Sequence, residues 1–83
     1  MAGLDKKKTR ISKIPSDYAW SELISLLGQL GYTKIEGNGS RVKFFHSEND
    51  SLINLHKPHP GSIVKQYMVR QVVAKLKEAG FTL

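Results

Sequence analysis

Arg41-Val42-Lys43-Phe44-Phe45-His46, the polar run Ser47-Glu48-Asn49-Asp50, and Ser51-Leu52-Ile53-Asn54-Leu55-His56-Lys57 decide the fold of this chain. Two runs of strand-favouring residues flank four turn-favouring ones, which reads as an antiparallel pair of strands. Successive side chains of a strand point to opposite faces. Val42 and Phe44 therefore share one face, and Arg41, Lys43 and Phe45 the other. In the following strand Ile53 and Leu55 point one way, Asn54 and His56 the other. The apolar sets call for a covering layer. The polar sets form an open face that carries Arg41, Lys43, Asn54 and His56, with Phe45 as the apolar exception.

Upstream, Tyr32 to Glu36 reads as a first strand, and Asn38-Gly39 is a hairpin signal, since a type I′ turn needs positive φ at both positions. Further upstream, Trp20, Leu23, Ile24, Leu27 and Leu30 recur at steps of three and four, one apolar face of a helix over residues 17–30. Ser16 or Asp17 offers its N-cap and Gly31 its left-handed C-terminus. Downstream, His56-Lys57-Pro58-His59-Pro60-Gly61 holds two prolines and reads as a stiff loop. A last helix runs from Lys65 or Gln66 to Ala79, burying Val69, Val72, Val73 and Leu76, with Gly80 ending it and Phe81 folding back. The order α-β-β-β-α predicts an α+β, two-layer fold: a three-stranded antiparallel sheet with two helices on one face. Double-stranded RNA-binding domains share that order.

The chain has 83 residues, enough for one small domain, and a net charge of +6. Five bases (Lys6, Lys7, Lys8, Arg10, Lys13) against Asp5 put four of those six charges in residues 1–14. Pro15 favours an extended Ile14 before it. Residues 1–14 are accordingly expected as a basic flexible tail, and residues 15–83 as the folded domain. A basic stretch attracts phosphate-rich partners. With no cysteine there is neither disulfide, thiolate metal site nor cysteine nucleophile. No apolar run approaches the ~18 residues of a membrane span, and the first ten residues lack the apolar stretch of a secretory signal. A cytoplasmic protein without membrane association is expected.

The acidic residues are scattered, and the phosphate-loop pattern is absent. The spacing of His56 and His59 in a proline-bearing loop is no helical ligand pair, so neither metal nor other cofactor is expected. Each histidine also fits a structural or merely exposed place. What remains is a basic open face suited to RNA, where Lys and Arg hold phosphates and Asn or His meets sugar or base edges.

Gly39-Ser40-Arg41-Val42-Lys43-Phe44, then Leu55-His56-Lys57-Pro58-His59-Pro60-Gly61, then Tyr67-Met68-Val69-Arg70 resemble the HicA family, as does Trp20-Ser21-Glu22-Leu23 with Leu26-Leu27 and Leu30-Gly31-Tyr32. The resemblance covers residues 15–80 or so. It implies the toxin half of a bacterial toxin–antitoxin pair: a metal-independent ribonuclease that cuts mRNA and halts translation, with a HicB-like antitoxin that blocks the active face. The family's usual catalytic histidine directly follows the Gly-Ser pair; here that position is Arg41.

Metal-free RNA cleavage needs a base for the 2′-hydroxyl proton and a cation for the charge that builds on the phosphate. Arginine stays protonated and suits the second task. The expected site therefore has Arg41 and Lys43 on the phosphate and His56 as base, with His59 as runner-up and His46, of core-side parity, third. Asn54 and Lys57 are expected as further RNA contacts, and Phe45 as a partner-binding anchor. The alternative is a non-catalytic RNA- or antitoxin-binding module of the same fold.

Overall fold

The computed structural model describes residues 2–58 and 61–83, residues 2–4 by their backbone alone. Residues His59 and Pro60 lie outside the described residues. The elements are α1 (Ala2–Ser12), α2 (Trp20–Gln29), β1 (Thr33–Glu36), β2 (Arg41–His46), β3 (Ser51–His56) and α3 (Gln66–Glu78). The three strands form one antiparallel sheet in the order β1-β2-β3. Its inner face carries Val42, Phe44, Ile53 and Leu55, all buried against Leu23, Leu26, Leu27, Val69, Val72 and Leu76 of α2 and α3. Trp20 meets Phe44 edge to face, with ring centroids 6.2 Å apart. The expected α-β-β-β-α unit with its two-layer packing is thus present.

Helix α2 starts at Trp20 rather than near Asp17. Residues 18–20 are drawn into an extended bridge instead: the Trp20 N–H donates to the Ser62 carbonyl and the Val64 N–H to the Tyr18 carbonyl, both at 2.7 Å. The N-cap is Ala19, whose N–H donates to the Glu22 carboxylate at 3.3 Å. At the other end Gly31 has φ +101°. The Tyr32 N–H donates to the Leu27 carbonyl and the Gly31 N–H to that of Gly28, a Schellman ending. Phe81 repeats it after α3, donating to Leu76 and packing on the core. The β1–β2 hairpin differs from the expected type I′ turn: of Asn38 and Gly39 only Gly39 has positive φ, at +65°. Gly37 pairs back to Arg41, which leaves a three-residue loop over Asn38–Ser40.

The N-terminal segment departs most from expectation. Ala2–Ser12, read from its charge as a flexible tail, is helical. Ile11 is fully buried within the core cluster, and α1 packs on α2 and α3. Arg10 fixes this docking: Nε donates to Glu22 at 2.9 Å and Nη2 to Asp17 at 3.2 Å, with the guanidinium 5.4 Å above the Tyr18 ring. Ile14 is not extended before Pro15 but left-handed, at φ +53°, where the chain turns back after α1. Its N–H donates to the Ile11 carbonyl and its own carbonyl accepts from the Gln66 side chain at 2.9 Å, which hold the turn against the steric cost of a β-branched residue there. None of the described helices is long and apolar enough to cross a membrane.

Tyr18 is fully buried, yet its hydroxyl has no hydrogen-bond partner among the described residues. Burial, aided by the Glu22 carboxylate and opposed by Arg10, pushes its pKa up to about 12 from 10.0. The folded chain keeps this proton where the unfolded chain releases it. The corresponding stability is intact below pH 10 or so and is lost as pH rises toward 12. Tyr18→Phe removes the unsatisfied hydroxyl, so denaturant titration should find it neutral or up to about 2 kcal/mol more stable, with a smaller alkaline loss than the parent. Ile11→Ala should cost roughly 2 kcal/mol or more in the same titration; an undocked tail would give no change.

Candidate nucleic-acid interface

The outer face of the sheet is uncovered, and Arg41, Lys43, Asn54 and His56 are exposed on it. The pairing register sets Arg41 opposite His56 and Lys43 opposite Asn54. The Lys57 N–H donates to the Ser40 carbonyl at 2.8 Å. That makes Ser40/Lys57 a hydrogen-bonded pair and Arg41/His56 the next, non-hydrogen-bonded one. Cross-strand partners on one face have Cβ atoms about 4.5–5.5 Å apart, the non-hydrogen-bonded pairs the closer. The guanidinium and imidazole thus start from neighbouring positions, as do Lys43 and Asn54. These four line a shallow groove of ≈ 270 Å³ with Val42 and Leu55.

Ser40 Oγ lies 3.5 Å from His56 Nδ1, at the outer limit of a hydrogen bond. If the hydroxyl oxygen accepts, the proton sits on Nδ1 and Nε2 keeps its lone pair. Ser40 is a residue that sequence reading left without a role; its cue was adjacency to Arg41 across from His56.

His46 has a different fate. Its core-side parity buries it between Tyr32 and Phe81, with ring centroids 5.2 and 5.6 Å away. Nε2 lies 3.0 Å from the Leu30 carbonyl, to which it donates, and Nδ1 accepts from the Asn49 N–H at 3.2 Å. Those partners define a neutral ring with both nitrogens engaged. A Cβ at Gly31 would stand 2.8 Å from His46 Nε2, so this helix end admits only glycine, for space as well as for φ.

Lys57 lies one residue past β3, its Nζ 3.7 Å from the Glu36 carboxylate and away from the Arg41 row. Phe45 is half-buried on the open face, and it is not alone. Leu52 stands opposite it, 42% exposed, and Ile35 of β1, 48% exposed, faces Lys43. The face thus divides into a cationic end (Arg41, Lys43), which also carries His56, and an apolar end (Phe45, Leu52). Leu52 shares Asn54's parity, which was the sequence cue for it. The position of His59 lies outside the described residues. Among those described, no three His, Asp or Glu side chains gather as metal ligands.

A three-stranded sheet backed by two helices, with one face, part cationic and part apolar, left open, defines a small α+β domain. A family model described as the HicA toxin of bacterial toxin–antitoxin systems matches residues 20–81, and the chain belongs to that family. It is the toxin of such a system, which implies an antitoxin partner. Helix α1 lies outside the matched residues. No curated protein and no solved structure matches the chain.

The two described histidines should separate in unfolding experiments. His46→Ala leaves the Leu30 carbonyl and Asn49 N–H unpaired and is expected to cost roughly 1–3 kcal/mol. His56→Ala, on the surface, should stay within about 0.5 kcal/mol of the parent.

Proposed function

We propose that this toxin is a metal-independent endoribonuclease that cuts mRNA and inhibits translation in the cytoplasm. The observation that carries the reading is the Arg41/His56 pair on an uncovered sheet face, with Lys43 and Asn54 one pair further along. His56 Nε2 takes the 2′-hydroxyl proton while Ser40 positions the ring. The 2′-oxygen attacks phosphorus and the P–O5′ bond breaks, leaving a 2′,3′-cyclic phosphate and a 5′-oxygen that takes a proton from water. Arg41, fixed in its charge, and Lys43 stabilise the phosphorane-like charge, and Asn54 contacts ribose or base. Lys57 supplies phosphate attraction from the rim. His59, next to the same strand end in sequence, is the second candidate for the base.

The apolar end, Phe45 with Leu52, suits a HicB-like antitoxin that covers the cationic end at the same time. A buried aromatic anchor beside desolvated charges is a common interface core.

A second reading is favoured by one residue. Arg41 occupies the position of the family's usual catalytic histidine, and arginine is no base. On that reading the domain binds RNA or antitoxin without cutting.

Purified protein with single-stranded RNA separates the two. Cleavage is expected, with His56→Ala slower by about 10²–10⁴-fold and Arg41→Ala by about 10²–10³-fold. Substitution of the 2′-hydroxyl at the cut position should abolish it. Parent-like rates in both His56→Ala and His59→Ala would refute the assignment; RNA that shifts in a gel yet is never shortened would favour the binding module.

A further inference from the structure

Beside the open face lies a second groove of ≈ 190 Å³ whose walls include His56, Lys57, Ile63, Lys65 and Tyr67. His56 borders both grooves, so the two adjoin at the end of β3. Met68, almost fully buried, lies beneath it. Two large side chains stand in water there: Tyr67 is 61% exposed and Ile63 47% exposed. They are not held by the core; α3 buries Met68, Val69, Val72, Val73 and Leu76 and leaves Tyr67 outward. Among the described residues, no acidic one lines the groove. Lys57 shares its charge with Glu36, while Lys65 makes no ion pair among the described residues.

An exposed aromatic flanked by cations, in a groove with room for one planar base, matches the way proteins hold unpaired nucleotides. Bases stack on aromatic faces while Lys or Arg tracks the backbone. We infer that this groove takes one unpaired nucleobase of the RNA, stacked on Tyr67, next to the phosphate held at Arg41. The inference rests on the ribonucleic-acid reading above and deepens it: the substrate is single-stranded at the cut, although the strand and helix order is that of domains that bind duplexes. Tyr67 is then a positioning residue that sets which nucleotide lies beside His56. The cationic rim favours a nucleotide over a protein segment as occupant.

The test uses a fluorescent single-stranded 2′-O-methyl RNA, which lacks the hydroxyl needed for cleavage, titrated across a salt series. Tyr67→Ala and Tyr67→Leu should each weaken binding by roughly 5- to 100-fold, the worth of one base stack. Tyr67→Phe should bind as the parent. The slope of affinity with salt should not change in these variants, whereas Lys65→Ala should lower it by about 0.7. A duplex of the same sequence should show no dependence on Tyr67. If the parent binds the RNA and Tyr67→Ala or Tyr67→Leu binds equally well, this inference falls and the RNA reading stands. If Tyr67→Ala loses a co-expressed antitoxin and keeps RNA affinity, Tyr67 is a protein contact and the inference falls. A parent that binds no RNA overturns both.

Discussion

The register between β2 and β3 is the constraint on which everything else depends. Strand side chains alternate with period two, so a slip of β2 by one residue against β3 would turn Arg41 and Lys43 inward and Val42 and Phe44 out to water. Val42, Phe44, Ile53 and Leu55 are almost fully buried, and exposing even one such side chain costs on the order of 1.5–3 kcal/mol. The hydrophobic core therefore fixes the geometry of the polar face without touching it. Arg41 meets His56 because Val42 meets Leu55 inside.

The same alternation gives the two described histidines opposite chemistry. His46 falls on the inner face at the end of β2, where the end of α2, the following turn and Phe81 close around it and occupy both ring nitrogens. His56 falls on the outer face, with one nitrogen near Ser40 and the other toward solvent. One ring clamps the sheet to the helix layer; the other stays available. Helix α1 belongs to the first kind of work. Outside the matched family region, it closes the helix layer through Ile11 and the Arg10 bridge to Asp17 and Glu22.

Most of the central fold was legible because periodicity reports burial. Trp20, Leu23 and Leu27 mark α2, Val69, Val72 and Leu76 mark α3, and Val42/Phe44 and Ile53/Leu55 sort the sheet. Helix α1 was not legible, since its charge outweighs a short apolar stripe and its docking, among the described residues, rests on buried Ile11, the Arg10 bridge and a Lys7–Gln29 hydrogen bond. The start of α2 is not legible locally because a bridge to Ser62–Val64, more than forty positions away, competes with capping at Ser16 or Asp17. Period two located the open face, but not its division into a cationic and an apolar end, which needs the register. Tyr67 stood in the sequence only within the family-like run Tyr67-Met68-Val69-Arg70, and its place in a groove with Lys57 and Ile63 needs the tertiary structure.

The most direct measurement of the central claim is a double-mutant cycle between Arg41 and His56 on RNA cleavage. Groups acting on one phosphate and its neighbouring hydroxyl lose rate non-additively. The account predicts that Arg41→Ala with His56→Ala together cleave scarcely more slowly than the worse single variant. Losses that simply multiply, or no loss in either single variant, would contradict it.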